Sequence, residues 1–278
     1  MEFVKMHGLG NDFIVVRTDS VVPEHAARLA MKLCDRHFGI GADGLVYLLP
    51  SEKADAMMRI FNADGSEAEQ CGNAIRCAAK YMYDRSLASG GDLTIETKGA
   101  GVQRVTVFAE GGKAVKVRVD MGAPRLDGAD IPATLDAGGM AGRVIEVDGH
   151  AFKFTAVSMG NPHCVIEVDD AERFEIGKWG PKLEVHPWFP NRTNVEFVTV
   201  ETPDRAVMRV WERGAGQTLA CGTGACAALV ASVLNGSMGR TGVVSLAGGE
   251  LLIEWDEATD HVFMTGAAAE VYEGRYGE

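Results

Sequence analysis

The stretch LACGTGAC, residues 219–226, decides how the chain is read. Cys221 is followed at once by Gly222, Thr223 and Gly224, and then by the apolar run ACAALVASVL (225–234). That run is apolar on nearly every face, which predicts a helix buried on all sides, capped by Thr223 and stopped by Asn235-Gly236. EQCGNAIRC (69–77) repeats the pattern. Cys71 precedes Gly72 and a second helix, capped by Asn73, running to about Leu87 and closed by Gly90. The two cysteines lie 150 positions apart (221 − 71 = 150). The same shift lays Gly10-Asn11 on Gly160-Asn161, and Arg59-Ile60-Phe61-Asn62 on Arg209-Val210-Trp211-Glu212. Ordered coincidences of this kind mark an internal repeat.

Working outward from these helices, short strand patterns dominate. FIVVRT, GLVYLL, MMRIFN, DLTIET, RVTVFA, NVEFVTV, VMRVWE and ELLIEW are rich in Val, Ile, Phe and Thr, and Gly, Asp or Pro bounds many of them. Further helices are expected over Pro23–His37 and, more weakly, Glu172–Leu183. The fold class is therefore α/β in the α+β sense: two similar domains, each a mostly antiparallel sheet around one buried helix. The boundary is placed where Gly122 and Pro124 break VRVDMGAPRL. Residues 1–119, with a returning strand at about 267–278, form the N-terminal half, and residues 120–266 the C-terminal half.

Composition narrows the function. The chain has 278 residues, 46% of them hydrophobic, and a net charge of −12. No Lys/Arg cluster offers the footprint that nucleic acid needs. No run is long enough to span a membrane, and the start, MEFVKMHGLGND, does not read as an export signal. Six cysteines then point to free thiols in a reducing cytoplasm. Their spacing lacks C-x-x-C and is not that of a zinc ribbon, so no metal is expected. GLGNDF is not a dinucleotide loop, no Walker loop occurs, and no lysine is marked for PLP. No cofactor is expected.

A helix start carries unpaired N–H groups and a partial positive charge. It lowers a thiol's pKa and accepts a carboxylate. A thiolate and an anion pocket then coincide, once in each half. Inverting a carbon that bears a proton needs one group to remove the proton and another to return one to the opposite face. A pair of cysteines where two similar halves meet suits a racemase or epimerase of an amino acid. A structural role for the thiols and a redox pair are the competing readings.

Four motifs carry a resemblance: MHGLGNDF (6–13), FNADGSEAEQCGNAIRC (61–77), SMGNPHCV (158–165) and ERGAGQTLACGTGACA (212–227). Together they closely resemble the diaminopimelate epimerase family, over nearly the whole chain. The resemblance implies interconversion of LL- and meso-diaminopimelate without PLP or metal, in lysine and peptidoglycan precursor synthesis. It implies Cys71 and Cys221 as the acid/base pair. It implies substrate contacts from Asn11, Asn62, Asn161 and Asn194, and from Glu212 and Arg213. Gly72-Asn73 and Gly222-Thr223 would supply the backbone that holds the reacting carboxylate. His163 and Glu212 would tune the thiols. A homodimer is expected. Where some members carry Gln, this chain has Gly44. The alternatives left open are a racemase of another amino acid on the same fold, and a non-catalytic amino-acid-binding or redox-sensing protein.

Overall fold

The structure is a computed structural model that describes residues 1–68, 71–88, 90–128, 130–131, 133–134 and 140–277. In chain order the elements begin with β1 (Glu2–Gly8), β2 (Asn11–Arg17), α1 (Ala26–Cys34), β3 (Gly44–Leu49), β4 (Ala56–Asn62) and β5 (Glu67–Ala68). Then come α2 (Gly72–Asp84), β6 (Asp92–Thr97), β7 (Gly101–Glu110), β8 (Lys113–Asp120), β9 (Arg143–Val147), β10 (His150–Ser158) and β11 (Pro162–Glu167). After these run α3 (Ile176–Glu184), β12 (Asn194–Thr202), β13 (Arg205–Glu212), β14 (Gly216–Gln217) and α4 (Gly222–Asn235). The chain closes with β15 (Thr241–Leu246), β16 (Gly249–Trp255), β17 (Val262–Gly266) and β18 (Ala269–Arg275). The chain divides into two compact units, Met1–Asp120 with Thr265–Glu278, and Met121–Met264.

In the first unit most strand pairs are antiparallel, but β2–β3 and β4–β6 run parallel. The second unit has the corresponding pattern, with β11–β12 and β13–β15 parallel. In each unit the strands curl around one helix. α2 packs on β1, β2, β4, β6, β7, β8 and β18, and α4 on β10, β11, β12, β13, β15 and β16. Enclosure on all sides explains why α4 has a core residue at nearly every position from Gly222 to Ser232. α1 and α3 pack instead on the strands as amphipathic helices, α1 with Ala26, Ala30, Leu33 and Cys34 buried.

Several helix ends differ from the sequence expectation. α1 starts at Ala26, because a turn from Pro23 precedes it, and ends at Cys34, where Asp35 leaves helical geometry and its carboxylate accepts the His37 and Phe38 N–H groups. α2 ends at Asp84 rather than near Leu87, with Arg85 as its C-cap, so Gly90 does not close it. α4 does stop at Asn235, and Gly236 takes the left-handed conformation at φ 79°. Neither Asn73 nor Thr223 is a cap. The N-caps are Cys71 and Cys221 themselves, both in extended backbone and neither capping with its side chain. The thiol is thus freed from the capping role that Ser or Asp would take there.

Candidate active site

In the first unit, β2 begins at Asn11 and α2 begins just after Cys71, and Asp43, at the end of the loop before β3, reaches Asn11. The half-buried Cys71 thiol lies 3.8 Å from Asn11 Oδ1, to which Asn73 Nδ2 donates at 3.0 Å. Asn73 Oδ1 accepts from Arg76 Nη2 at 2.9 Å, and Arg76 Nη1 donates to the Gly72 carbonyl at 3.0 Å. Arg76 is fully buried. Such a cation is tolerable only with its N–H groups engaged, and here it ties the first turn of α2 together. Asn11 Nδ2 donates to Asp43 Oδ2 at 2.7 Å, and Arg36 bridges Asp43 and Asp12. Lys5 completes the network on Asp12 at 2.7 Å and on the Gly41 carbonyl.

Asn62 stands at the exposed end of β4, its side chain on Ser66 Oγ at 2.9 Å. Gly44 opens β3, where an added Cβ would sit 3.1 Å from the Phe61 carbonyl oxygen, so the strand pair is tight there.

In the second unit, Cys221 is 5% exposed. Its Sγ lies 3.6 Å from Thr223 Oγ1. Asn161 Nδ2 reaches Thr223 Oγ1 at 3.3 Å, and Asn161 Oδ1 faces His163 Nε2 at 3.0 Å. The other ring nitrogen, Nδ1, is 2.7 Å from Glu196 Oε1. His163 and Glu196 are both wholly buried. Three side chains, His163, Asn161 and Thr223, therefore link Glu196 to Cys221. The register of β11 on β12 makes this possible, since the two strands run parallel with His163 beside Asn194 and Val165 beside Glu196.

Asn194 spends its amide on the local fold. Nδ2 donates to the Pro162 carbonyl at 3.0 Å, and Oδ1 accepts the Arg213 N–H at 2.9 Å. It thereby clasps the loop after β13. Glu184 holds the same loop, with Oε2 on Trp211 Nε1 at 2.7 Å and Oε1 on the Gly214 N–H at 3.0 Å. Glu212 Oε1 accepts from Thr218 Oγ1, and Glu212 also bonds Cys221. The Arg213 side chain is exposed, reaching the Asn191 carbonyl at 3.4 Å.

Electrostatics correct one expectation outright. Burial, and then the Glu212 and Glu196 carboxylates, push the Cys221 thiol well above its ordinary value. Desolvation and like charge outweigh the helix start here. Burial likewise raises Glu212.

Sequence reading missed Glu196, Asp43, Arg36, Arg76 and Glu184. Glu196 carried a signal, being a lone carboxylate inside the apolar strand NVEFVTV, where an unpaired charge is too costly to bury. Asp43 lies in GIGADG, which reads only as a turn. Among the described residues no three His, Cys, Asp or Glu side chains converge as a metal site requires, and no helix is long and apolar enough to cross a membrane.

The family model described as diaminopimelate epimerase matches residues 3–126 and 155–271. The chain belongs to the diaminopimelate epimerase family. It is 56% identical to the diaminopimelate epimerase of Pelotomaculum thermopropionicum over 99% of both chains. It is 53% identical to that of Acetivibrio thermocellus over 99% of this chain and 98% of the relative. Among solved structures, the phenazine biosynthesis protein of the PhzF family from Bacillus anthracis superposes with a TM-score of 0.72 at 18% identity, covering 99% of this chain and 98% of that one. At that identity the likeness shows a shared fold.

Proposed function

We propose that the protein interconverts LL- and meso-diaminopimelate without a cofactor, using Cys71 and Cys221 as its acid/base pair. The observation that carries this reading is the repeated placement, in a chain of this family, of a cysteine as N-cap of the helix enclosed by each unit. The α-proton beside a carboxylate is weakly acidic, so the reaction needs a base, an acid and a sink for the developing negative charge. The first N–H groups of α2 and α4, at Gly72-Asn73 and Gly222-Thr223, serve as that sink and hold the reacting carboxylate.

The thiols take different resting states. Cys221, flanked by Glu212 and Glu196, stays a neutral thiol and is the proton donor when LL-substrate enters. Cys71 is then the thiolate that removes the proton. After one turnover the two have exchanged protonation states, and the reverse reaction starts from the exchanged form. His163 and Glu212 tune this pair. Asn11, Asn62, Asn161, Asn194, Glu212 and Arg213 meet the substrate's amine and carboxylate groups, which their mixed donors and acceptors suit. Arg213 supports this role by being exposed. We read the enzyme as a cytoplasmic homodimer, which keeps its thiols reduced.

The test is incubation of the reduced protein with LL-diaminopimelate in D2O, with no added cofactor. Meso product carrying deuterium at one α-carbon is expected. Folded, reduced protein that exchanges no α-proton would contradict the reading.

A further inference from the structure

Asn11 and Asn161 occupy equivalent places in the two halves, 150 positions apart (11 and 161), yet their amides are held the opposite way round. In the first unit two charged residues leave no choice. Arg76 can only donate, so it fixes the Asn73 oxygen towards itself and turns Asn73 Nδ2 to Asn11 at 3.0 Å. Asp43, whose Oδ2 also accepts the Asp12 N–H at 3.1 Å, takes Asn11 Nδ2 at 2.7 Å. Asn11 Oδ1 is thereby aimed at Asn73 and at the Cys71 thiol. In the second unit Asn161 gives its oxygen to His163 and turns its NH2 to Thr223 beside Cys221. One thiol neighbourhood is presented with an amide oxygen, and the other with an amide N–H.

We propose that Asp43 is a positioning residue that locks the polarity of the Asn11 amide, so that Asn11 presents an acceptor at the Cys71 site. The inference rests on the reading of Asn11 as a substrate contact given above. An oxygen there accepts from the substrate's ammonium or from the Cys71 S–H; an NH2 would repel the first and could not accept from the second. Arg36 holds Asp43 in turn, bonding its Oδ1 at 2.8 Å while also gripping Asp12. The Asp12 backbone N–H donates to the same Asp43 oxygen that Asn11 uses, at 3.1 Å. The carboxylate is therefore fixed from three sides. Arg36 and Asp43 are both well exposed, so their pairing adds little to stability; what it supplies is geometry.

The experiment compares wild type, Asp43→Asn and the exchanged pair Asn11→Asp with Asp43→Asn. In Asp43→Asn an NH2 replaces one carboxylate oxygen, so either Asn11 and the Asp12 N–H or Arg36 meets a donor, and the lock on the Asn11 amide is weakened. The expected loss in kcat/KM is about 10–100-fold, the scale of a misplaced site group, with the melting temperature nearly unchanged. The exchanged pair again offers oxygen to both Cys71 and Asn73, and is expected to recover at least about fivefold over the single variant. It also keeps an amide–carboxylate pair between positions 11 and 43, so it stands as the test should the single variant fold poorly. In parallel, the Asn11 side-chain amide protons, observed by NMR, should be protected from exchange in the wild type and lose that protection in Asp43→Asn. Activity of the single variant within about twofold of wild type, or an exchanged pair no better than the single, would overturn the inference. Inactive wild type would instead count against the proposed function, and the amide signals would still decide the role of Asp43: protons unchanged by the substitution would refute it.

Discussion

The surroundings of the two cysteine-capped helix starts differ in charge and in depth. Around Cys71 the hydrogen bonds pass through Asn11 to a lattice of the exposed Asp43 and Arg36 with the more covered Asp12 and Lys5, where opposite charges balance. Around Cys221 they pass through Thr223 and Asn161 to His163 and Glu196, which are wholly buried, while Glu212 stands beside the thiol. The same local backbone, an extended cysteine before a glycine, thus stands in two different electrostatic settings. A repeat gives a fold two copies of one geometry, and substitutions around each copy give it its own surroundings. The same lesson holds one strand away. Asn194 at the start of β12 clasps Pro162 and Arg213, whereas the equivalent Gly44 at the start of β3 has no side chain, and the Phe61 carbonyl leaves little room for one.

Removing either thiol is the severest way to break the comparison. Cys71→Ala and Cys221→Ala are each expected to lose about a thousandfold or more in turnover, within the range of general acid–base catalysis, with circular dichroism unchanged. Near-normal turnover in either variant would take that thiol out of the mechanism.

Glu196→Gln sharpens the difference in charge. Glutamine still accepts from His163 but no longer repels a thiolate. The Cys221 thiol should then ionise at lower pH than in wild type, and the alkaline limb of LL-substrate turnover should move to lower pH with it. Mass-resolved alkylation against pH and initial rates in both directions check this. An unmoved Cys221 profile would free Glu196 from that role.

Asn194→Ala probes the clasp that the first unit lacks. Losing bonds to Pro162 and Arg213 should cost about 1–3 kcal/mol in stability and raise KM more than it lowers kcat, because the loop bearing Arg213 is loosened. Urea unfolding and steady-state kinetics would show it. An unchanged melting curve would make the clasp incidental.

The smallest effect is in alkali. Burial holds the Cys77 thiol at about 12 and the Cys34 thiol at about 11, against an ordinary value of 9.0. A thiol raised in this way contributes its full stabilisation below about pH 9. Above that, the unfolded chain gives up its proton and the folded chain does not, so stability falls by about 1 kcal/mol per thiol per pH unit until the folded values are reached. Thermal melts from pH 8 to 11 should show the decline, with a shallower slope in Cys77→Ala. A slope unaffected by that substitution would contradict the assignment.

Much of this was legible in the residues. DLTIET gives β6 and GLVYLL gives β3 to the residue, because apolar β-branched runs between turn residues leave little else possible. The wholly apolar α4 announced its own burial. β1 was not assigned, since EFVKMHG interrupts its apolar pattern with Lys5 and His7, and only the distant Asp12 and Gly41 explain a buried lysine. The caps were misplaced by a rule that looks for Asn or Thr, whereas here cysteine occupies the position. Charge balance was the least legible: Cys221 looks like a thiolate until its burial, and then the Glu212 and Glu196 carboxylates beside it, are in view.

The most direct measurement is alkylation of reduced wild-type protein with iodoacetamide across pH 5 to 11, with modification at Cys71 and Cys221 resolved by mass spectrometry. The account predicts that Cys71 reacts with a midpoint well below that of Cys221, whose modification rises only in alkali. A Cys221 that reacts at the lower pH would reverse the assignment of base and acid and contradict the central claim.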